Sequence, residues 1–157
     1  MKKLLAMTIL AAACLNLSAT ARGATMLVTS NADSGDNTLR AAVAAANTTT
    51  GRDTIVFAVA NSITVLSAIT ASESVVLEGR GVTLGSTGSS SILLLTLDAG
   101  AGGSLVRDMA FVSADVGLTV QSSGNTIQGC RFGTDWTDAT GRGNFRGARI
   151  TGDANVI

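Results

Sequence analysis

Gly117-Leu118-Thr119-Val120-Gln121-Ser122-Ser123-Gly124-Asn125-Thr126-Ile127 lies without a gap over Gly147-Ala148-Arg149-Ile150-Thr151-Gly152-Asp153-Ala154-Asn155-Val156-Ile157. Gly, Asn and Ile recur, and Val120 faces Ile150, at an offset of 30 residues (117 against 147). A second register sets Ser104-Leu105-Val106-Arg107-Asp108-Met109-Ala110-Phe111 over Asn125-Thr126-Ile127-Gln128-Gly129-Cys130-Arg131-Phe132 at an offset of 21 (104 against 125). Val106 then meets Ile127, Met109 meets Cys130, and Phe111 meets Phe132. A basic period near 21, stretched once by a loop over 133–146, is the signature of a solenoid. In a parallel β-solenoid each coil stacks on the last, so like residues stand above like residues.

Outward from the repeat, the chain reads as short strands separated by Gly, Ser, Asn and Asp. Candidate strands cover 24–29, 54–59, 62–66, 74–77, 82–84, 92–97, 105–112, 118–120, 126–128, 148–151 and 156–157. Neither Asn-Gly nor Asp-Gly occurs, which argues against tight antiparallel hairpins. One helix is predicted, over 38–46. Leu39, Ala42, Val43 and Ala46 fall at i, i+3, i+4 and i+7, and Asp36 or Asn37 is the expected N-cap. A helix this short does not persist alone in water and must dock on an apolar surface. The predicted fold is all-β, a parallel β-helix with one short N-terminal capping helix.

Composition agrees. The 157 residues include four Phe, one Trp and no Tyr, so the interior is packed with small aliphatics. His and Pro are absent. Without His there is no His-dependent triad and no His zinc site. Lys2 and Lys3, the apolar run to Leu17 and the small residues 18–21 form a secretory signal peptide, residues 1–21. The run is too short for a comfortable membrane span. Ala11-Ala12-Ala13-Cys14 offers an alternative exit, lipid anchoring through Cys14, although Ala11 stands where a lipobox usually has Leu. Cleavage after residue 21 leaves nine Arg against eleven acids, a net charge of −2, which is not a nucleic-acid-binding balance. It also leaves Cys130 alone, so no internal disulfide forms. Cys130 shares a repeat slot with Met109 and is expected inside.

Residues 26–35 (Met-Leu-Val-Thr-Ser-Asn-Ala-Asp-Ser-Gly), 38–47 (Thr-Leu-Arg-Ala-Ala-Val-Ala-Ala-Ala-Asn) and 53–57 (Asp-Thr-Ile-Val-Phe) together resemble the N-terminus of exported bacterial right-handed parallel β-helix proteins with a CSLREA-type segment. Residues 124–129 and 132–135 are similar to coil motifs of the same proteins. Asn37 stands where the name-giving Cys would be, and Ala41 replaces the usual Glu. The resemblance implies a right-handed β-helix in an exported, often surface-associated protein, frequently longer than this chain. It implies no reaction. The domain reading is therefore a signal peptide at 1–21, an N-terminal cap at 22–59, and β-helix coils at 60–157 with the loop at 133–146.

Candidate sites are few. Asp135, Trp136, Asp138, Arg142 and Arg146 share the long loop with Phe145, and aromatic and charged groups together suit a sugar. Paired carboxylates also serve glycosidic cleavage, though loops are commonly polar for no such reason. Asp33, Asp36 and Asp53 flank the helix start; calcium ligation and turn capping are the competing readings, and capping is the ordinary one. Arg40 is expected to be structural, with Asp53 and Asp33 as candidate partners. Asn125 and Asn155 share one repeat position and are expected to form a structural ladder. No catalytic constellation, metal set or cofactor motif emerges. The expected function is an exported, surface-associated structural or adhesive module. A polysaccharide lyase or hydrolase and a non-catalytic carbohydrate-binding module are the alternatives. Expected partners are polysaccharide or cell-surface components and further coils of the same chain, since Ile157 aligns with Ile127 in mid-coil.

Overall fold

The computed structural model describes residues 23–59, 62–87, 91–137 and 142–157. The expected signal peptide at 1–21, with Cys14, lies outside these residues, as does Asp138. Eleven strands and one helix follow in the order β1 Thr25–Val28, α1 Leu39–Ala46, β2 Asp53–Phe57, β3 Ser62–Thr64, β4 Ile69–Ala71, β5 Val75–Gly85, β6 Leu93–Leu97, β7 Leu105–Val112, β8 Val116–Val120, β9 Thr126–Gln128, β10 Arg131–Phe132 and β11 Arg146–Ile150. One sheet runs β1-β2-β5-β7-β10, with β3 also on β5 and β9 also on β7; the other runs β11-β8-β6-β4. Every pairing among the described strands is parallel. The result is a parallel β-solenoid of about four turns, with a single short helix among the described residues.

Both repeat offsets are registers of this solenoid. Leu105 pairs with Thr126, Phe111 with Phe132, Leu118 with Ala148 and Val120 with Ile150. The Phe111 and Phe132 rings stack, centroids 5.3 Å apart and 11° from parallel. The core between the sheets is aliphatic: Leu77, Leu84, Val106 and Met109 from one side and Leu95, Leu97, Leu118 and Val120 from the other are fully buried.

The predicted strands 74–77 and 82–84 are one continuous element, β5, bent at Gly79-Arg80-Gly81. Three residues there stand opposite Asp108 alone on β7, and Arg80 and Gly81 have φ of 52° and 88°. Asp108 and Gly129 continue this left-handed corner into the next coils, with φ of 54° and 61°. A corner of this kind admits short or absent side chains most easily. β4 and β10 were not foreseen, because three and two residues carry too little alternation. The expected strand at 156–157 is a single bridge, Val156 to Thr126.

The helix buries Leu39, Ala42, Val43 and Ala46 and packs on β4, β1 and β2. Its N-cap is Thr38, neither Asp36 nor Asn37. The Thr38 hydroxyl accepts from Ala41 N–H at 3.2 Å and donates to Gly35 O at 2.8 Å. Asn37 instead adopts φ 57° and closes the preceding turn, its carbonyl accepting from Thr29 and Ser30 N–H.

The helix also ties off a sheet edge. β4 is the outermost strand of its sheet. Asn47, at the C-terminal end of α1, donates to Thr70 O and accepts from Ser72 N–H, both at 2.8 Å. Arg40, in the first turn of the helix, donates to Ala68 O at 3.0 Å and Ser67 O at 2.8 Å. Two side chains thus do the pairing that a further strand would do, and an exposed edge is closed.

Candidate functional site

A concave feature outside the core lies on the outer face of the first sheet. Ser62, Thr83, Ala110 and Arg131 stand in one register column across β3, β5, β7 and β10. Alternation points Thr83 and Ala110 outward, since Val82, Leu84, Met109 and Phe111 fill the core. Even so, Thr83 and Ala110 are buried. Above this column Trp136 of the long loop approaches Gly81 on β5 and lines the same groove as Thr83.

The loop base is closed by backbone bonds. Gly133 N–H donates to Phe111 O, Arg142 N–H to Gly133 O, and Ser113 N–H to Arg142 O, at 2.8, 2.8 and 2.9 Å. Asn144 adds a side-chain staple, accepting from Ala114 N–H and donating to Phe111 O. Trp136 reaches back to β5. A Cβ at Gly81 would stand 3.0 Å from the indole Nε1, a tight contact, and the φ of 88° favours glycine there. The Arg131 guanidinium sits over the indole, 4.8 Å from the ring centroid, and donates to Trp136 O at 3.3 Å. Asp135 Oδ1 accepts from the Thr137 N–H at 3.0 Å and hydroxyl at 2.7 Å, which sets the turn.

Between loop and sheet runs an open groove of about 340 Å³, lined by Ser62, Gly81, Thr83, Asp135, Trp136, Thr137 and Arg142. Asp135, Trp136 and Arg142 of the sequence-derived set therefore meet in one place. Arg146 does not join them: it opens β11, and its guanidinium lies over Phe145 at 5.2 Å. Ser62, Gly81 and Thr83 were missed, because nothing local marks the far wall of a groove that the coil stacking creates.

The structural candidates sort as follows. Arg40 Nη2 meets Asp33 Oδ1 at 2.6 Å, and Nε donates to Asp33 O at 3.2 Å. Burial pushes the Asp33 carboxyl up, but the hydrogen bonds from Arg40 and Leu66 N–H and the Arg40 charge outweigh it, holding the group below its ordinary value. Asp53 is not an Arg40 partner. It is fully buried, accepts from Ala24 N–H at 2.5 Å and receives the Thr49 hydroxyl. Asp33, Asp36 and Asp53 do not converge, and the described residues hold no cluster of metal-ligating side chains.

Asp53 belongs instead to a polar column that sequence reading saw only in part. Ala24, Asp53, Val75, Ser104, Asn125 and Asn155 occupy equivalent positions in successive coils. Four of their side chains accept the backbone N–H of the coil before: Asp53 from Ala24, Ser104 from Val75 at 3.0 Å, Asn125 from Ser104 at 2.9 Å, and Asn155 from Asn125 at 2.8 Å. Asn125 Nδ2 also donates to Asn155 Oδ1, Ser122 O and Ser122 Oγ. Ser104 was legible in principle, since the 21-residue register already sets it over Asn125.

Cys130 is half-buried against the core, its thiol 3.6 Å from Val106 O. Burial pushes its pKa up, with the Asp108 charge adding to the effect. Among the described residues no helix is long and apolar enough to cross a membrane. Comparisons with protein-family models, curated proteins and solved structures return no match.

Proposed function

We propose that this chain is an exported, surface-associated β-solenoid module with a structural or adhesive role. The observation that carries the structural reading is how the buried polar side chains are used. Thr38, Asp53, Ser104 and Asn125 all bind backbone groups of their own or the neighbouring coil. Such groups build a stack rather than a reaction centre. The leader at 1–21 and the resemblance to CSLREA-type β-helix proteins support export and surface association.

The groove favours binding over cleavage. Asp135 is its one carboxylate among the described lining residues, whereas glycosidases work with a pair. The test is to express the full chain with its own leader in a bacterial host, sequence the N-terminus of the product and treat intact cells with protease. A chain starting near Arg22 and reached by protease or released to the medium is the expected outcome. An uncleaved cytoplasmic product refutes the proposal. A lipid-modified N-terminus at Cys14 selects the anchored form of it.

A further inference from the structure

The groove lining has a definite chemical character. Ser62, Thr83 and Thr137 bring three hydroxyls, each able to donate and accept. Asp135 brings an acceptor and Arg142 a set of donors, one charge of each sign, so the lining carries no net charge. Trp136 is half-buried and contributes an apolar wall beside these groups. Ser62 and Thr83 are fixed on paired strands, and Trp136 is held by Arg131 and by its approach to Gly81. At about 340 Å³ the groove is at the small end of ligand clefts, which run from about 300 to 1,000 Å³. A compact ligand with hydroxyls around its rim, an apolar C–H face and no charge fits that description.

We propose that this groove binds one or two rings of a neutral saccharide, with the C–H face against Trp136 and the hydroxyls shared among Thr83, Ser62, Asp135 and Arg142. The inference goes beyond the structural role and holds whether or not further coils follow. An open, wet groove releases little free energy per contact, because ligand hydroxyls replace water of similar quality.

Trp136 is the only tryptophan of the chain, so its emission reports on the groove alone. The experiment titrates the intact protein with maltose, cellobiose and diacetylchitobiose, and with digalacturonate as the acidic counterpart. A saturable change in emission with at least one neutral disaccharide is expected, with a dissociation constant on the order of 1 mM. Thr83→Val and Arg142→Ala should each weaken binding by about fivefold or more, a loss of about one contact. Phe145→Ala, away from the groove, should leave it unchanged. Circular dichroism and melting of each variant separate lost binding from lost folding. No saturable response to any neutral sugar up to about 20 mM overturns the proposal. So does binding of digalacturonate alone, abolished by salt, which would make the groove a charge site.

Discussion

Replacing Asn125 with Ala removes the one side chain that bonds both up and down the polar column. Asn125 is fully buried, and Ser104, whose N–H it receives, is 1% exposed. The substitution leaves that N–H without an acceptor in a site water does not reach, a cost of about 1–3 kcal/mol. It also removes the donations to Ser122 Oγ and Asn155 Oδ1, each worth about 0.5–1.5 kcal/mol net. Ser122 O keeps a partner, because Asn155 Nδ2 also donates to it at 3.2 Å, so that carbonyl adds little. The sum is about 2–6 kcal/mol, centred near 4, a large share of the roughly 5–15 kcal/mol that holds a domain together. In a domain of this size it lowers the melting temperature by roughly 10 °C. Urea unfolding followed by circular dichroism should show the midpoint falling with the slope unchanged. Asn155→Ala, at a half-buried position, should cost about 1 kcal/mol. If Asn125→Ala stays within about 1 kcal/mol of the parent, or costs no more than Asn155→Ala, the column is not a source of stability and the reasoning fails.

The edge closure by α1 predicts that Arg40→Ala destabilises the chain by about 1–2 kcal/mol, since it strips three carbonyls and the Asp33 carboxylate of a charged donor at a partly exposed site. Because the folded-state pKa of Asp33 is depressed, its contribution is present above the ordinary value of 3.8 and is lost as pH falls through the lower folded value. Denaturation at pH 6 and pH 3 should therefore show Asp33→Asn weaker than the parent at the first pH, with the gap narrowing at the second. Gly79→Ala should be among the most damaging single-methyl changes, because its Cβ would run into Met109 and stand 2.5 Å from Asp108 O; Gly143→Ala, with nothing within 4 Å, should melt with the parent. The Cys130 thiol, raised in pKa by burial, should react slowly with a disulfide reagent near pH 8 in the native protein and at least about tenfold faster in denaturant; equal rates would mean that burial does not protect it.

Much of the architecture was written in local patterns. The helix stripe Leu39, Ala42, Val43 and Ala46 is the buried face itself, because 3.6-residue periodicity is a property of neighbours along the chain. β7 runs over Leu105–Val112 as read, and the 21- and 30-residue offsets are pairing registers because a solenoid repeats its side-chain pattern from coil to coil. Errors fell where a second interaction competes with a local preference. Asn37 is a good N-cap residue by type, but its carbonyl closes a turn with Thr29 and Ser30, and the cap passes to Thr38. Asp53 is near enough in sequence to meet Arg40, but coil stacking places it beneath Ala24.

By itself, then, the sequence determined a parallel stack of aliphatic coils with a helix at its start, because composition and periodicity act over a few residues or one coil. The tertiary structure alone decided which chemistry comes together. Thr83 and Ser62 lie far from Trp136 along the chain, and only the tertiary fold brings the indole into one groove with their hydroxyls. It also decided that Arg40 and Asn47 would stand in for a missing strand. Both depend on distances across the stack, which no single stretch of chain encodes.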